Sequence, residues 1–96
     1  MQTRDVVIVS ACRTAIGKFQ GQFKDVSARE LAIHAGKEAI RRAGIDINTI
    51  DEIVMGECYS AMQGSLPARQ VSMRIGLPKE SSAVTVNQNC ASGMRA

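Results

Sequence analysis

Val84-Thr85-Val86-Asn87-Gln88-Asn89-Cys90-Ala91-Ser92-Gly93-Met94-Arg95-Ala96 decides how this chain folds. A run of β-branched residues stops at a polar corner, a cysteine stands in that corner, and small residues compatible with a helix follow. The pattern predicts a strand that turns directly into a helix. At such a corner the sulfur of Cys90 lies where the free amides of the helix start point outward and its dipole is positive. That field favours thiolate over thiol, and thiolate is the nucleophilic form. Position alone leaves two readings of Cys90, a reactive nucleophile or a buried, inert packing residue. Ala91, Ser92 and Gly93 leave room for a ligand beside the sulfur, though Gly93 can equally serve close helix packing.

Outward from the corner, three short apolar runs read as buried strands. They are Asp5-Val6-Val7-Ile8-Val9-Ser10, Asp51-Glu52-Ile53-Val54-Met55-Gly56 and Ala83-Val84-Thr85-Val86. Between the first two, Ser27-Ala28-Arg29-Glu30 reads as a capping box that opens a helix. Ala28, Leu31, Ala32, Ala35, Gly36, Ala39, Ile40 and Ala43 recur at helical spacing as one stripe of small residues, with Ile33 off it. Gly44 supplies the left-handed stop. A second helix is predicted over residues 68–75, with Pro67 at its first position and Gly76 and Pro78 ending it. Residues 12–26 and 58–65 read as loops. The order is strand, helix, strand, helix, strand, helix start. It predicts an α/β fold of parallel βαβ units with right-handed crossovers and the cysteine at a strand-to-helix corner.

The whole chain has 96 residues, 45% hydrophobic and 22% charged, an ordinary balance for at most one globular domain. Aromatic residues make up 3% and tryptophan is absent, so the core rests on Val, Ile, Leu, Met and Ala, which suits a helix-covered parallel sheet. No stop signal follows residues 92–96, so the segment reads as the first part of a larger fold or of an assembly. The net charge of +3 describes a mildly basic protein; an anionic substrate is the sharper alternative. Lys37, Arg41 and Arg42 share a helix with Glu30 and Glu38 and have no interleaved aromatics, which argues for a solvated face and against nucleic acid. Three widely spaced cysteines, Cys12, Cys58 and Cys90, make neither a disulfide framework nor a zinc site and point to a reducing cytoplasm. No apolar stretch approaches the roughly 18 residues of a membrane span, and the start lacks the plan of a signal peptide.

The remaining reactive residue types carry structural readings. His34, the only histidine, falls on the polar face of the first predicted helix and reads as a solvated surface residue. Cys12 and Cys58 read as small packing residues, and Met55, Met62 and Met73 as core or interface filler. Arg13 and Arg69 read as surface or interface packing, with an anion or a partner subunit as the alternative. Gly17 and Gly21 do not form a phosphate-cradling loop.

The cysteine segment is similar to the active-site segment of thiolases, V-N-x-x-C-x-S-G, with Asn87, Cys90, Ser92 and Gly93 on its fixed positions. Ser10-Ala11-Cys12-Arg13-Thr14-Ala15-Ile16-Gly17 resembles the opening S-A-x-R-T-P-I-G of the same family. Met55-Gly56 followed by Pro67-Ala68-Arg69-Gln70 resembles its second strand and the helix start after it. These segments stand in family order over essentially all of the chain. Departures are Ala15 for proline, Cys12 for a common alanine, and Glu57-Cys58-Tyr59 after the M-G pair, in a loop region that shapes acyl-chain specificity.

The resemblance implies a layered α/β/α thiolase-like fold, with residues 1–96 forming the first part of an N-terminal half-domain. It implies an acetyl-CoA C-acetyltransferase chemistry with Cys90 as the nucleophile and its backbone amide as one oxyanion donor. Acyl-CoA and coenzyme A would be substrates and products, with no prosthetic group or metal, in a homodimer or homotetramer. The family's histidines and second cysteine lie later in its sequence, and none of their roles falls on His34; the 96 residues alone are therefore expected to be inactive. The alternatives are a thiolase for longer chains, another condensing enzyme of the superfamily such as a ketoacyl synthase, and a non-catalytic subunit or scaffold that keeps the motif.

Overall fold

Ser27 ends an extended approach (φ −72°, ψ 158°), and its Oγ accepts the amide of Glu30 at 3.2 Å, which starts α1, Ala28–Ala43, in the computed structural model describing residues 2–96. The predicted box closes on one arm only. The Glu30 carboxylate turns away from Ser27 and receives Arg74 of a second helix at 2.8 Å. Gly44 takes φ 67° and donates to Ile40 and Arg41, closing α1 as its sequence predicts. Arg41 and Arg42 in the last turn oppose the negative helix end, and their Nε atoms donate to Glu38 at 2.8 and 2.9 Å. Those two hydrogen bonds, Arg41 first, hold the Glu38 carboxyl down at about 2 from an ordinary 4.5.

A 3₁₀ turn, Ile47–Thr49, leads to β1, Glu52–Gly56; α2, Pro67–Ile75, then connects it to β2, Ser82–Val86. The two strands pair in parallel from Glu52↔Ser82 to Gly56↔Val86. A parallel pair needs a crossover, and α2 supplies it. Pro67 takes the first helical position, where a missing amide costs nothing, and Gly76 (φ 101°) ends the helix. Leu66, the residue before Pro67, is left-handed (φ 39°) and provides no side-chain cap. The cap comes from the sheet instead: the amide of Ala68 donates to Thr85 Oγ1 on β2 at 3.1 Å. Arg69 ties the other side of α2 to the turn before β2 by donating to the Ser81 carbonyl at 2.6 Å, an internal role outside the surface, interface and anion readings of its sequence.

The core lies around α2, which packs on α1 and on the strand pair, with Ala68, Val71, Ser72 and Leu77 buried and Val71 only 1% exposed. Ile33, which off the stripe reads as either a lone surface apolar or part of a contact, is buried and so belongs to a contact. A methyl group on Gly36 would come within 2.5 Å of Ile75 Cδ1, so α1 meets α2 through Ile33 and Gly36, and Arg29 extends the contact by donating to Gln70 Oε1. Leu31 and Ala35 face the other way, toward Cys12, Thr14, Phe23 and Val26, and Cys12 Sγ donates to the Ala35 carbonyl at 3.0 Å. A helix gripped on two sides has two apolar faces, which a single stripe cannot describe.

The first predicted strand does not form. Residues 2–18 have no regular secondary structure, and Val6 and Ile8 are 99% and 89% exposed. A strand exists only beside a neighbour; β1 and β2 pair with each other, and no described residue forms a ladder with 5–10. Met62 and Met73 are exposed and so do not fill the core, which leaves the interface half of their reading, while Met55 is half-buried on β1. Two predicted strands, both long helices and the helix start at Ser92 are present in the predicted order. Among the described residues no helix is long and apolar enough to cross a membrane.

Candidate active site

Because β1 and β2 are parallel, both carboxyl ends reach the same edge of the sheet. There the Glu57 amide donates to the Val86 carbonyl at 3.1 Å and carries the ladder one step further. Two loops leave this edge, residues 57–66 and 87–91. Reactive groups in parallel α/β folds collect outside the carboxyl ends of strands, and Cys90 lies there, on the second loop. It is exposed among the described residues.

The corner is braced by two short side chains. Asn87 Oδ1 accepts the Asn89 amide at 2.9 Å, and Asn87 Nδ2 donates to the Cys58 carbonyl at 3.1 Å. Donor and acceptor chemistry fixes which end of the amide is which. The first bond closes an Asx turn that carries Asn89 into the left-handed region, φ 51°. Ser92 is buried; its Oγ accepts the Gln88 amide at 2.9 Å and donates to the Asn89 carbonyl at 2.7 Å. Between them these two side chains tie every residue from Gln88 to Ser92 except Cys90 and Ala91, and Ala91 bonds through its own amide to Gln88 at 3.0 Å. Gln88 and Cys90 form an isolated parallel bridge, so the backbone of Cys90 is part of the turn rather than loose beside it.

Gly56, the last residue of β1, lies directly under the corner. A Cβ there would stand 2.5 Å from the Ser92 carbonyl oxygen and 2.8 Å from the Gly93 nitrogen, so only glycine allows this approach. A Cβ on Gly93 would meet nothing within 4 Å. Of its two sequence readings, close helix packing is therefore not realised among the described residues, and the space beside it is open. The final helix, α3, Ser92–Arg95, is a single turn. One turn carries little of a macrodipole, so α3 as described supplies less of the helix-start field than the sequence predicts.

The other reactive residue types stay apart from this corner. His34 is exposed on α1 and lines a cleft of about 530 Å³ with Cys12, Phe23, Leu31 and Ala35, a group that does not include Cys90. Cys12 and Cys58 are half-buried, in keeping with packing roles. No cluster of three His, Cys, Asp or Glu among the described residues can hold a metal ion. Sequence reasoning left two supports of the corner without roles. The Asn-x-Asn spacing of 87 and 89 is a turn signal in its own right, and a glycine closing a strand marks a close backbone approach. Gln70 was a further omission: its Nε2 donates to the carbonyls of Gln63 and Ser65 at 2.8 and 2.7 Å, fixing the 57–66 loop against α2.

Comparison with known proteins agrees with this architecture. Residues 6–96 match the family described as thiolase, N-terminal domain. An acetyl-CoA acetyltransferase of Clostridioides difficile is 50% identical over 92 residues, covering 96% of this chain and 86% of its own. One from Rhizobium meliloti (strain 1021) is 44% identical over 96 residues, and there the chain spans only 24% of the relative's length. Among solved structures, the acetyl-CoA acetyltransferase of Syntrophomonas wolfei superposes with a TM-score of 0.88 at 49% identity, over 93% of this chain and 22% of that one. A thiolase of Ascaris suum in complex with coenzyme A superposes with a TM-score of 0.95 at 41% identity, over 97% and 24%. With its parallel strand pair, its crossover helix and its sequence matched from residue 6 to the end, the chain belongs to the thiolase family, in the N-terminal domain.

Proposed function

We propose that the protein containing this chain is an acetyl-CoA C-acetyltransferase in which Cys90 carries the acyl group. The observation that supports this reading most directly is the exposed Cys90 on a braced corner at the carboxyl ends of two parallel strands. The Cys90 thiolate attacks the carbonyl carbon of an acyl-CoA. Its sulfur forms the new C–S bond as the carbonyl π pair moves to oxygen, and the Cys90 amide donates to that oxyanion. A preorganised donor of this kind contributes about 3 kcal/mol to an acyl-transfer transition state. The tetrahedral adduct collapses by expelling CoA thiolate, which leaves an acyl thioester on Cys90. A second acetyl-CoA loses a methyl proton to a base, its carbon attacks the thioester, and 3-oxoacyl-CoA departs as the Cys90 thiolate returns. Thiolysis is the same sequence in reverse.

His34 takes no part in this scheme; it lines a cleft against α1 that does not include Cys90. The bases that move protons belong to later family segments. The same reading takes the substrates to be coenzyme A thioesters handled without a prosthetic group, and the protein to be a cytoplasmic homo-oligomer. Residues 1–96 would form the first part of its N-terminal half-domain. The test is intact mass after incubation of the full-length protein with acetyl-CoA. One acetyl group is expected on Cys90 and is lost in Cys90→Ser; a folded protein that gains none defeats the proposal.

A further inference from the structure

The bonds at the corner divide unequally between the residues that hold it and the residue it presents. Asn87 uses both ends of its side chain, one within the corner and one across to the neighbouring loop. The bond within the corner keeps a non-glycine residue, Asn89, at φ 51°, a conformation that most residues avoid and that asparagine tolerates. Asn89 immediately precedes Cys90, so its φ and ψ set the direction in which the Cys90 Cα–Cβ bond and amide leave the turn. An extended Asn89 would rotate both. The bond across to Cys58 ties the corner to the 57–66 loop, which Gln70 fixes to α2. Asn87 is itself exposed, so burial of its side chain does not account for these bonds.

We infer that Asn87 is a positioning residue for Cys90: its Asx turn holds Asn89 left-handed and thereby aims the sulfur at an approaching carbonyl. The inference rests on the reading of Cys90 as the nucleophile, but it concerns the presentation of the thiol and is tested without acetyl-CoA. Ser92 holds the same corner from below, yet it is buried and its loss disturbs packing as well as geometry. Asn87 is the cleaner lever.

The chain contains its own control. Asp46 Oδ1 accepts the Asn48 amide at 2.9 Å, the same bond at the same spacing, in the 3₁₀ turn far along the chain from Cys90. The experiment measures the second-order rate of Cys90 alkylation by iodoacetamide in the full-length protein, read on the Cys90 peptide, together with kcat, KM and thermal midpoint. Asn87→Ala is expected to slow Cys90 alkylation and kcat by about tenfold or more, with KM changed far less, because misdirection by a fraction of an ångström acts on attack rather than on binding. Asp46→Ala removes an equivalent bond and is expected to leave the alkylation rate within about twofold, since distant sites act independently. Asn87→Ser retains a neutral acceptor for the Asn89 amide and is expected to restore most of the rate.

Equal alkylation rates for the natural protein and Asn87→Ala, or equal slowing by Asn87→Ala and Asp46→Ala, overturn the inference. So does an Asn87→Ser variant that folds but reacts as slowly as Asn87→Ala. A natural protein that is alkylated at Cys90 and yet takes no acetyl group from acetyl-CoA defeats the functional proposal instead, and the alkylation comparison still decides the role of Asn87.

Discussion

Replacing Gly56 with alanine puts one methyl group into the contact that seats the cysteine corner on β1. The new Cβ would stand 2.5 Å from the Ser92 carbonyl oxygen and 2.6 Å from its carbon, both backbone atoms with no rotamer to yield. Ordinary van der Waals contact begins at 3.4 Å, so strand and corner must part by about 0.9 Å. Overpacking of this kind costs about 1–3 kcal/mol of stability. A displacement near 1 Å of the attacking group costs on the order of 100-fold in rate, or about 2.7 kcal/mol of transition-state energy. The assay is the pre-steady-state rate of acetyl transfer to Cys90 in the full-length protein, with urea unfolding of the same sample. Gly93→Ala supplies the stability comparison: its Cβ meets nothing within 4 Å, and exchanging glycine for alanine within a helix is expected to stabilise by about 0.5–1 kcal/mol. Acetyl transfer by Gly56→Ala within threefold of the natural rate, together with unfolding energies that do not separate the two variants, would refute the close-approach argument.

Three further outcomes test the fold around the site. Thr85→Val keeps the shape of the side chain but strips the buried Ala68 amide of its acceptor, and should lower the unfolding free energy by about 1–3 kcal/mol in urea titrations. Met62 is fully exposed at φ 61°, so Met62→Gly removes left-handed strain without losing a contact and should stabilise by about 0.5–1 kcal/mol, seen as a raised denaturation midpoint. The Glu38 carboxyl should titrate by NMR near 2 rather than 4.5, and Arg41→Gln should move it upward, because the Arg41 hydrogen bond is the largest cause of the depression. Since the folded value lies below the unfolded one, the associated stability is present above about pH 4.5 and fades as pH falls toward 2.

Local chemistry made much of this legible. Ser27, Gly44, Pro67 and Gly76 mark helix ends by steric and hydrogen-bonding rules that need no partner, and each stands where its residue type predicts. The parallel pair followed from short β-branched runs separated by a helix. What escaped depends on neighbours. Val6 to Val9 have the composition of a buried strand, but composition cannot supply the strand beside them. Ile33 lies off the small-residue stripe and is nevertheless buried, because α2 covers a second face of α1. Glu30 has the right spacing for a capping box and was drawn off by an arginine 44 residues away. At the corner, the motif located Cys90, while the work of Asn87 and Gly56 emerged only with the geometry of the turn and of the strand beneath it.

The unpaired stretch from Val6 to Val9 has a practical consequence for anyone producing this segment by itself. Its peptide groups and β-branched side chains lie open together, and an uncovered run of that kind templates cross-chain stacking. Expression of the 96 residues in isolation should therefore yield insoluble material, and recovery in soluble form should follow from a single lysine at Val7 or Ile8. Such a substitution is the device by which natural sheets protect an unguarded border.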